Sequence, residues 1–271
     1  MGSLSDYYEN AILDYVAGGG GDPRKSTLYF ALYTVAPTDS GGGTEMTTDN
    51  WSNYARVAVT NNNTNFPSTS SRTKTNGTDI SWGTASSSDD DVAVAVGLFD
   101  ASSGGNLLMW DAIASITVQN GNTVKIPAGL ASFSIEGLTD AYATSVLDYI
   151  VGGGSDPRKT THYLAFYTVA PTASTSGTEA STSWWTDYAR IAKTNNSTTW
   201  PNASGGSKSS GVAFDFGEVA LTVSPTTVVA AGILDASTSG NLLWFGSLGS
   251  ISMSNGNEIS IPIGSATIAL D

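Results

Sequence analysis

Almost everything distinctive in this chain occurs twice. Leu13-Asp14-Tyr15, a glycine run, Asp22-Pro23-Arg24-Lys25 and Tyr33-Thr34-Val35-Ala36-Pro37-Thr38 return as Leu147-Asp148-Tyr149 through Thr172, at an offset of 134 residues. Gly43-Thr44-Glu45 and Tyr54-Ala55-Arg56 return at the same offset, as Gly177-Thr178-Glu179 and Tyr188-Ala189-Arg190. After a slip of one residue, Gly97, Asp100 and Asn106 answer to Gly232, Asp235 and Asn241. Solenoid units run to roughly 20–50 residues, so a period this long implies a duplicated domain and not a stacked array. The sequence predicts two tandem domains, 1–136 and 137–271, each near the modal domain size and each keeping its own core. The junction at Glu136-Gly137-Leu138 is short enough to restrict how they sit together.

Composition narrows the function classes. The net charge is −13, from 24 acidic and 11 basic residues, and no basic cluster goes beyond Arg24-Lys25. Such a surface repels phosphate backbones and anionic lipid, so neither nucleic acid nor a membrane is an expected partner. No basic segment followed by an apolar core opens the sequence, and no run approaches the roughly 20 apolar residues of a membrane span. Cysteine is absent, which removes thiol catalysis, thiolate metal sites and disulfides together. With 30 glycines, 9 prolines and abundant Ser, Thr and Asn around short apolar runs, the composition is that of an all-β protein with long loops.

Each copy opens with one predicted helix, about 5–17 and 139–151. Ser5 or Thr139 stands at the N-cap, and Tyr8, Ile12, Tyr15 and Val16 share one face, as do Tyr142, Val146, Tyr149 and Ile150. The glycine runs and the Asp-Pro steps end these helices. Too short to stand alone, each helix reads as a clasp or connector. Strand-like runs follow: Thr27 to Val35, Tyr54 to Thr60, Asp79 to Trp82, Val92 to Asp100, Leu107 to Asp111, Ile113 to Val118, Thr123 to Pro127 and Leu130 to Ile135, with partners in the second copy. Short strands without intervening helices predict a β-sandwich or jelly-roll-like domain in each copy. Two stretches per copy are long and irregular, 38–53 and 61–76, matched by 172–187 and 195–211; loops of this length are usually functional.

The residues carry little catalytic chemistry. The sole histidine, His162, stands where the first copy has Leu28, so it reads as a histidine on a strand surface, and neither a Ser-His-Asp set nor a histidine metal site is expected. The recurring acids Asp14, Asp22, Glu45 and Asp100 could in principle form a glycosidase pair. Each has a simpler role: Asp22 in a turn before proline, Asp100 capping the turn after its strand, and Glu45 and Glu179 as structural ion pairs with Arg56 and Arg190. Asp89-Asp90-Asp91 lacks the spacing of a calcium loop and reads as a solvated turn. The Asn-x-Ser/Thr triplets are expected by chance. Trp51, Trp184 and Trp185 lie in the long loops; such tryptophans either grip a sugar or protein partner or seal the end of a sandwich. Trp110 and Trp244, inside strands, read as core. No cofactor is expected.

The run Leu28 to Glu45, followed by Tyr54-Ala55-Arg56, resembles the opening of a family of small tailed-bacteriophage proteins called phage tail fibre proteins. Gly97-Leu98-Phe99-Asp100-Ala101, Gly104 to Trp110 and Ile126-Pro127-Ala128-Gly129 extend the resemblance over nearly the whole of both copies. The family usually presents one such unit, so the duplication is a departure. The resemblance implies a non-enzymatic virion structural protein, tail fibre-like or capsid-decorating, assembled in the host cytoplasm and contacting other virion proteins and itself. The alternative is a receptor-recognition module of the tail that binds host surface glycan through the loop tryptophans.

Overall fold

The computed structural model describes residues 3–69, 72–86, 91–222 and 226–270. The first repeat runs β1 (Ser3–Leu4), α1 (Asp6–Val16), β2 (Thr27–Val35), β3 (Thr44–Glu45), β4 (Val57–Thr60), β5 (Thr73–Thr75), β6 (Ile80–Thr84), β7 (Asp91–Phe99), β8 (Leu107–Val118), β9 (Thr123–Ile126) and β10 (Ser132–Ser134). The second runs α2 (Asp140–Ile150), β11 (Thr161–Val169), β12 (Thr178–Glu179), β13 (Ile191–Thr194), β14 (Ser207–Ser209), β15 (Phe214–Glu218), β16 (Thr226–Leu234), β17 (Leu242–Met253), β18 (Glu258–Ile261) and β19 (Thr267–Ala269). Among the described residues strands dominate, and the helices are the two read from capping and periodicity.

Every strand pair is antiparallel. In the first repeat a sheet ordered β1-β8-β7-β2-β3, with β4 also on β2, accompanies two ribbons, β5–β10 and β6–β9. The second repeats this as β12-β11-β16-β17, with β13 on β11, beside β14–β19 and β15–β18. The central strands β2 and β11 bury Leu28, Phe30 and Leu32, or His162, Leu164 and Phe166, on one face. Their other face carries smaller apolar clusters, Ala31-Tyr33-Ala95-Phe99 and Ala165-Tyr167-Ala230-Leu234. That double burial explains the near-continuous apolar runs. The runs read as Leu107 to Asp111 and Ile113 to Val118 form a single strand, β8, bent by a register shift opposite Ala93 and Ala95.

One expectation is corrected here. The large apolar cluster does not divide at residue 136: it runs without a break from Leu4, Tyr8 and Ile12 to Trp200, Ile268 and Leu270. The repeats share a core because each helix packs on both of them. Helix α1 touches β8 of its own repeat and β14 of the other, while α2 touches β17 of its own and β5 of the first.

Candidate functional site

The motif Leu-Asp-Tyr-(Gly)n-Asp-Pro-Arg, which announces the duplication, is the place where the two repeats meet. Tyr15 and Tyr149 stack with centroids 5.4 Å apart and planes 7° from parallel, and the Tyr15 hydroxyl donates to that of Tyr149 across 2.7 Å. Tyr149 in turn donates to Asp22 (2.7 Å). Guanidinium groups cover the outer ring faces, Arg158 at 4.0 Å from the Tyr15 centroid and Arg24 at 5.4 Å from that of Tyr149.

Around this stack each helix C-terminus is received by the opposite repeat. Asn195 accepts from Gly18 N (2.7 Å) and donates to Val16 O (2.8 Å); Asn61 accepts from Gly152 N (2.6 Å) and donates to Ile150 O (2.8 Å). These side chains satisfy groups that the helix ends leave without partners. Neither helix has a basic residue in its last turn. The other repeat supplies one: Lys208 bonds Asp14 (2.7 Å) and the carbonyl of Ala17, and Lys74 bonds Asp148 (2.5 Å). Both lysines suit the negative end of a helix dipole, and their side chains are 1% and 0% exposed. Burial pushes the Lys208 ammonium below its ordinary range, against the opposing pull of Asp14. Gly18 and Gly152 have φ of +135° and +128°. A Cβ at Gly152 would stand 2.7 Å from Phe66 O, and one at Gly18 would stand 2.8 Å from Trp200 O, so these helix ends can insert only with glycine there.

Within each repeat a second polar group pins loops to the main sheet. Arg56 holds Glu45 through two parallel bonds (2.9 and 2.7 Å) and donates to the carbonyls of Ala101 and Gly104. Arg190 does the same with Glu179 (2.8 and 2.7 Å), Ala236 and Ser239. The bonds to Glu179 hold the Arg190 guanidinium above its usual value. Asp100 and Asp235 accept from the backbone and side-chain N–H groups of Asn106 and Asn241, closing the turn after β7 and β16. Burial raises the Asp235 carboxyl, but the Asn241 bonds outweigh it and hold it below the carboxylate range.

The structure places Trp51 and Trp185 in the core at 0% and 1% exposure, Trp51 against Tyr54 and Trp185 among Phe166, Tyr188 and Phe216. Neither offers a ring face to a ligand, because both indoles are packed inside the apolar cluster. Trp184 is half-buried beside Trp185. Trp244 is core, whereas Trp110 is half-buried and donates to Asp39 (3.0 Å). His162 is not on the strand surface: it takes the core place of Leu28 and is fully buried, accepts at Nδ1 from Trp200 Nε1 (3.0 Å), and is held down to about 4 by burial. Among the described residues no cluster of potential metal ligands forms, and no helix is long and apolar enough to cross a membrane. Asp89 and Asp90 lie outside the described residues.

The duplicated architecture has a counterpart among known families. The family described as podophage GP4 fiber I protein gp80 matches residues 3–134 and, separately, 137–269. The chain belongs to this family of phage fibre proteins. No curated protein matches it. The first matched segment ends at residue 134 and the second begins at 137, on either side of the junction, so the chain carries the fibre-family unit twice.

Reading this fibre protein from sequence misses two pairs of residues, Asn61 with Asn195 and Lys74 with Lys208. Both pairs lie in the long loops 61–76 and 195–211, where little regular structure is expected; short strands β5 and β14 run there instead. The available signals are Asn61 and Lys74, both kept at the 134-residue offset inside polar, Asn/Ser/Thr-rich loops.

Proposed function

We propose that this fibre-family protein is a non-enzymatic structural component of the phage particle, tail fibre-like or capsid-decorating, that works through protein–protein contacts. One observation carries the reading: the acids that recur, Asp14, Asp22, Glu45 and Asp100 with their counterparts, each bond a cation or a hydrogen-bond donor that holds the fold. Among these recurring acids no pair is left free to act as acid and base on a substrate, and the one imidazole is buried and neutral. Two copies of one surface on a single chain multiply weak contacts on a symmetric particle through effective concentration. Assembly in the host cytoplasm, self-association and contact with neighbouring virion proteins belong to this reading. The glycan-binding alternative retains only Trp184 of its three aromatic candidates, since burial removes Trp51 and Trp185 as platforms.

Quantitative mass spectrometry of purified particles tests the proposal. Hundreds of copies per particle indicate decoration of the shell, and a handful places the protein on the tail. Absence from particles, or turnover of a substrate by the purified chain, overturns it.

A further inference from the structure

The two repeats differ at one edge of the main sheet. In the first, strand β1 lies on β8, pairing Ser3 with Trp110 and Leu4 with Met109. Asp39 accepts from both the Ser3 hydroxyl and the Trp110 indole, and the buried Asp111 accepts from Ser132 N (3.1 Å), tying β8 to β10. The second repeat has Gly137, Ala173, Phe245 and Gly246 at these four places, so every one of those bonds is gone. Leu130 and Phe133 are also replaced by the smaller Ser265 and Ile268. A pocket of about 210 Å³ opens between β17 and β19, lined by apolar side chains including Ile233, Trp244, Leu248, Ile261 and Ile268.

The backbone beside this pocket is free. Thr139 N bonds Leu243 O (3.1 Å) on the side of β17 away from β16, as Ser5 N bonds Leu108 O (2.9 Å) in the first repeat. Alternate residues of an antiparallel strand direct their N–H and C=O to the same side, so Phe245 and Ser247 present theirs on that open side. Among the described residues no strand pairs with them there. No charge, proline or lysine guards the stretch Phe245-Gly246-Ser247-Leu248, although proteins commonly protect exposed edges in those ways.

We propose that this edge receives one added strand from another protein of the particle, and that the strand sets one aliphatic side chain into the pocket. The first repeat displays the geometry of the occupant: the uncharged, extended β1 pairs Ser3 with Trp110, the place of Phe245. The place of Leu4 is filled in the second repeat by its own buried Leu138, so the added strand lies beyond Leu138, beside the pocket. The pocket is smaller than the roughly 300–1,000 Å³ of small-molecule sites and suits a side chain. Strand addition of this kind takes its affinity from main-chain bonds and its selectivity from the pocket. The chain's charge of −13 favours a segment flanked by basic residues over an acidic one.

The inference rests on the virion reading, and its test separates the two. Amide exchange of the segment 242–253, read by mass spectrometry, is compared between the purified chain and purified particles of the phage that encodes it. Exchange at Phe245 and Ser247 is expected to be at least tenfold slower in particles, with the 107–118 segment unchanged. Gly246→Asp installs the residue of the first repeat where a Cβ meets nothing within 4 Å; it should keep the melting temperature and reduce copies per particle at least tenfold. Ser247→Pro, which removes one outward N–H, serves as the second variant and should do the same. Equal exchange in both samples, or wild-type incorporation of both variants, overturns the strand addition while leaving the virion reading intact. Protection that appears in the purified chain and grows with its concentration overturns it in favour of a second copy as occupant. Absence of the chain from particles overturns both readings.

Discussion

Arg190 shows how a single side chain can close a loop system. Its side chain is 7% exposed and divides its donors between Glu179 and two carbonyls of the 236–239 turn. Breaking a buried pair by removing one partner strands the other, at a cost of roughly 3–5 kcal/mol. Because the Glu179 side chain keeps 24% exposure, Arg190→Met is expected to lower unfolding free energy by about 2–3 kcal/mol in urea titrations; unchanged stability would remove the pairing as a structural element. This pair was legible in sequence, since a strand-borne arginine kept in both copies needs a counter-charge. His162 gives a pH signature. Its folded-state value of about 4 lies below the ordinary 6.5, so the unfolded chain binds its proton first as pH falls. Stability is therefore full above pH 6.5 and declines by about 1.4 kcal/mol per unit towards pH 4. The double variant His162→Leu/Trp200→Phe, which restores the Leu28 and Phe66 of the first repeat, should flatten that part of the profile; an unaltered slope would assign it to other groups.

Both helices carry their stabilising partners on the opposite repeat, so substitutions in a loop should be felt in a distant helix. Asn61→Ala removes the acceptor for Gly152 N and the donor to Ile150 O. A buried group left unsatisfied costs about 1–3 kcal/mol, and faster amide exchange is expected at 148–152, in the helix of the other repeat. Loss of protection confined to the 61–76 loop would contradict the exchange of contacts. Gly152→Ala should cost more, because it meets both the positive φ and the Phe66 carbonyl. The helices themselves were visible in sequence through the cap at Ser5 and the spacing of Tyr8, Ile12 and Tyr15. Strands β5 and β14 were not, because three residues of Ser, Thr and Lys in a polar loop have no periodicity to detect.

At the scale of the whole molecule, the shared core predicts that the repeats unfold together. Calorimetry is expected to show one transition with matching calorimetric and van't Hoff enthalpies, and an engineered protease cut between Glu136 and Gly137 should leave two fragments that co-elute in gel filtration. Two separated transitions, or fragments that part on cutting, would mean that each repeat keeps its core to itself. The sequence alone determined the duplication, the all-β class, the two helices, the Glu-Arg pairs and the family. It could not determine which copy supplies which partner. Asp14 could pair with Lys74 or with Lys208, and the internal repeat gives both lysines closely similar polar neighbours, so nothing in the residues distinguishes a contact within a copy from one between copies. Tertiary structure decided it: the linker is only a few residues long, and Gly18 and Gly152 let each helix end enter the other repeat's loop. There a buried lysine, an asparagine and the stacked tyrosines bond groups that a repeat folded alone would leave facing water.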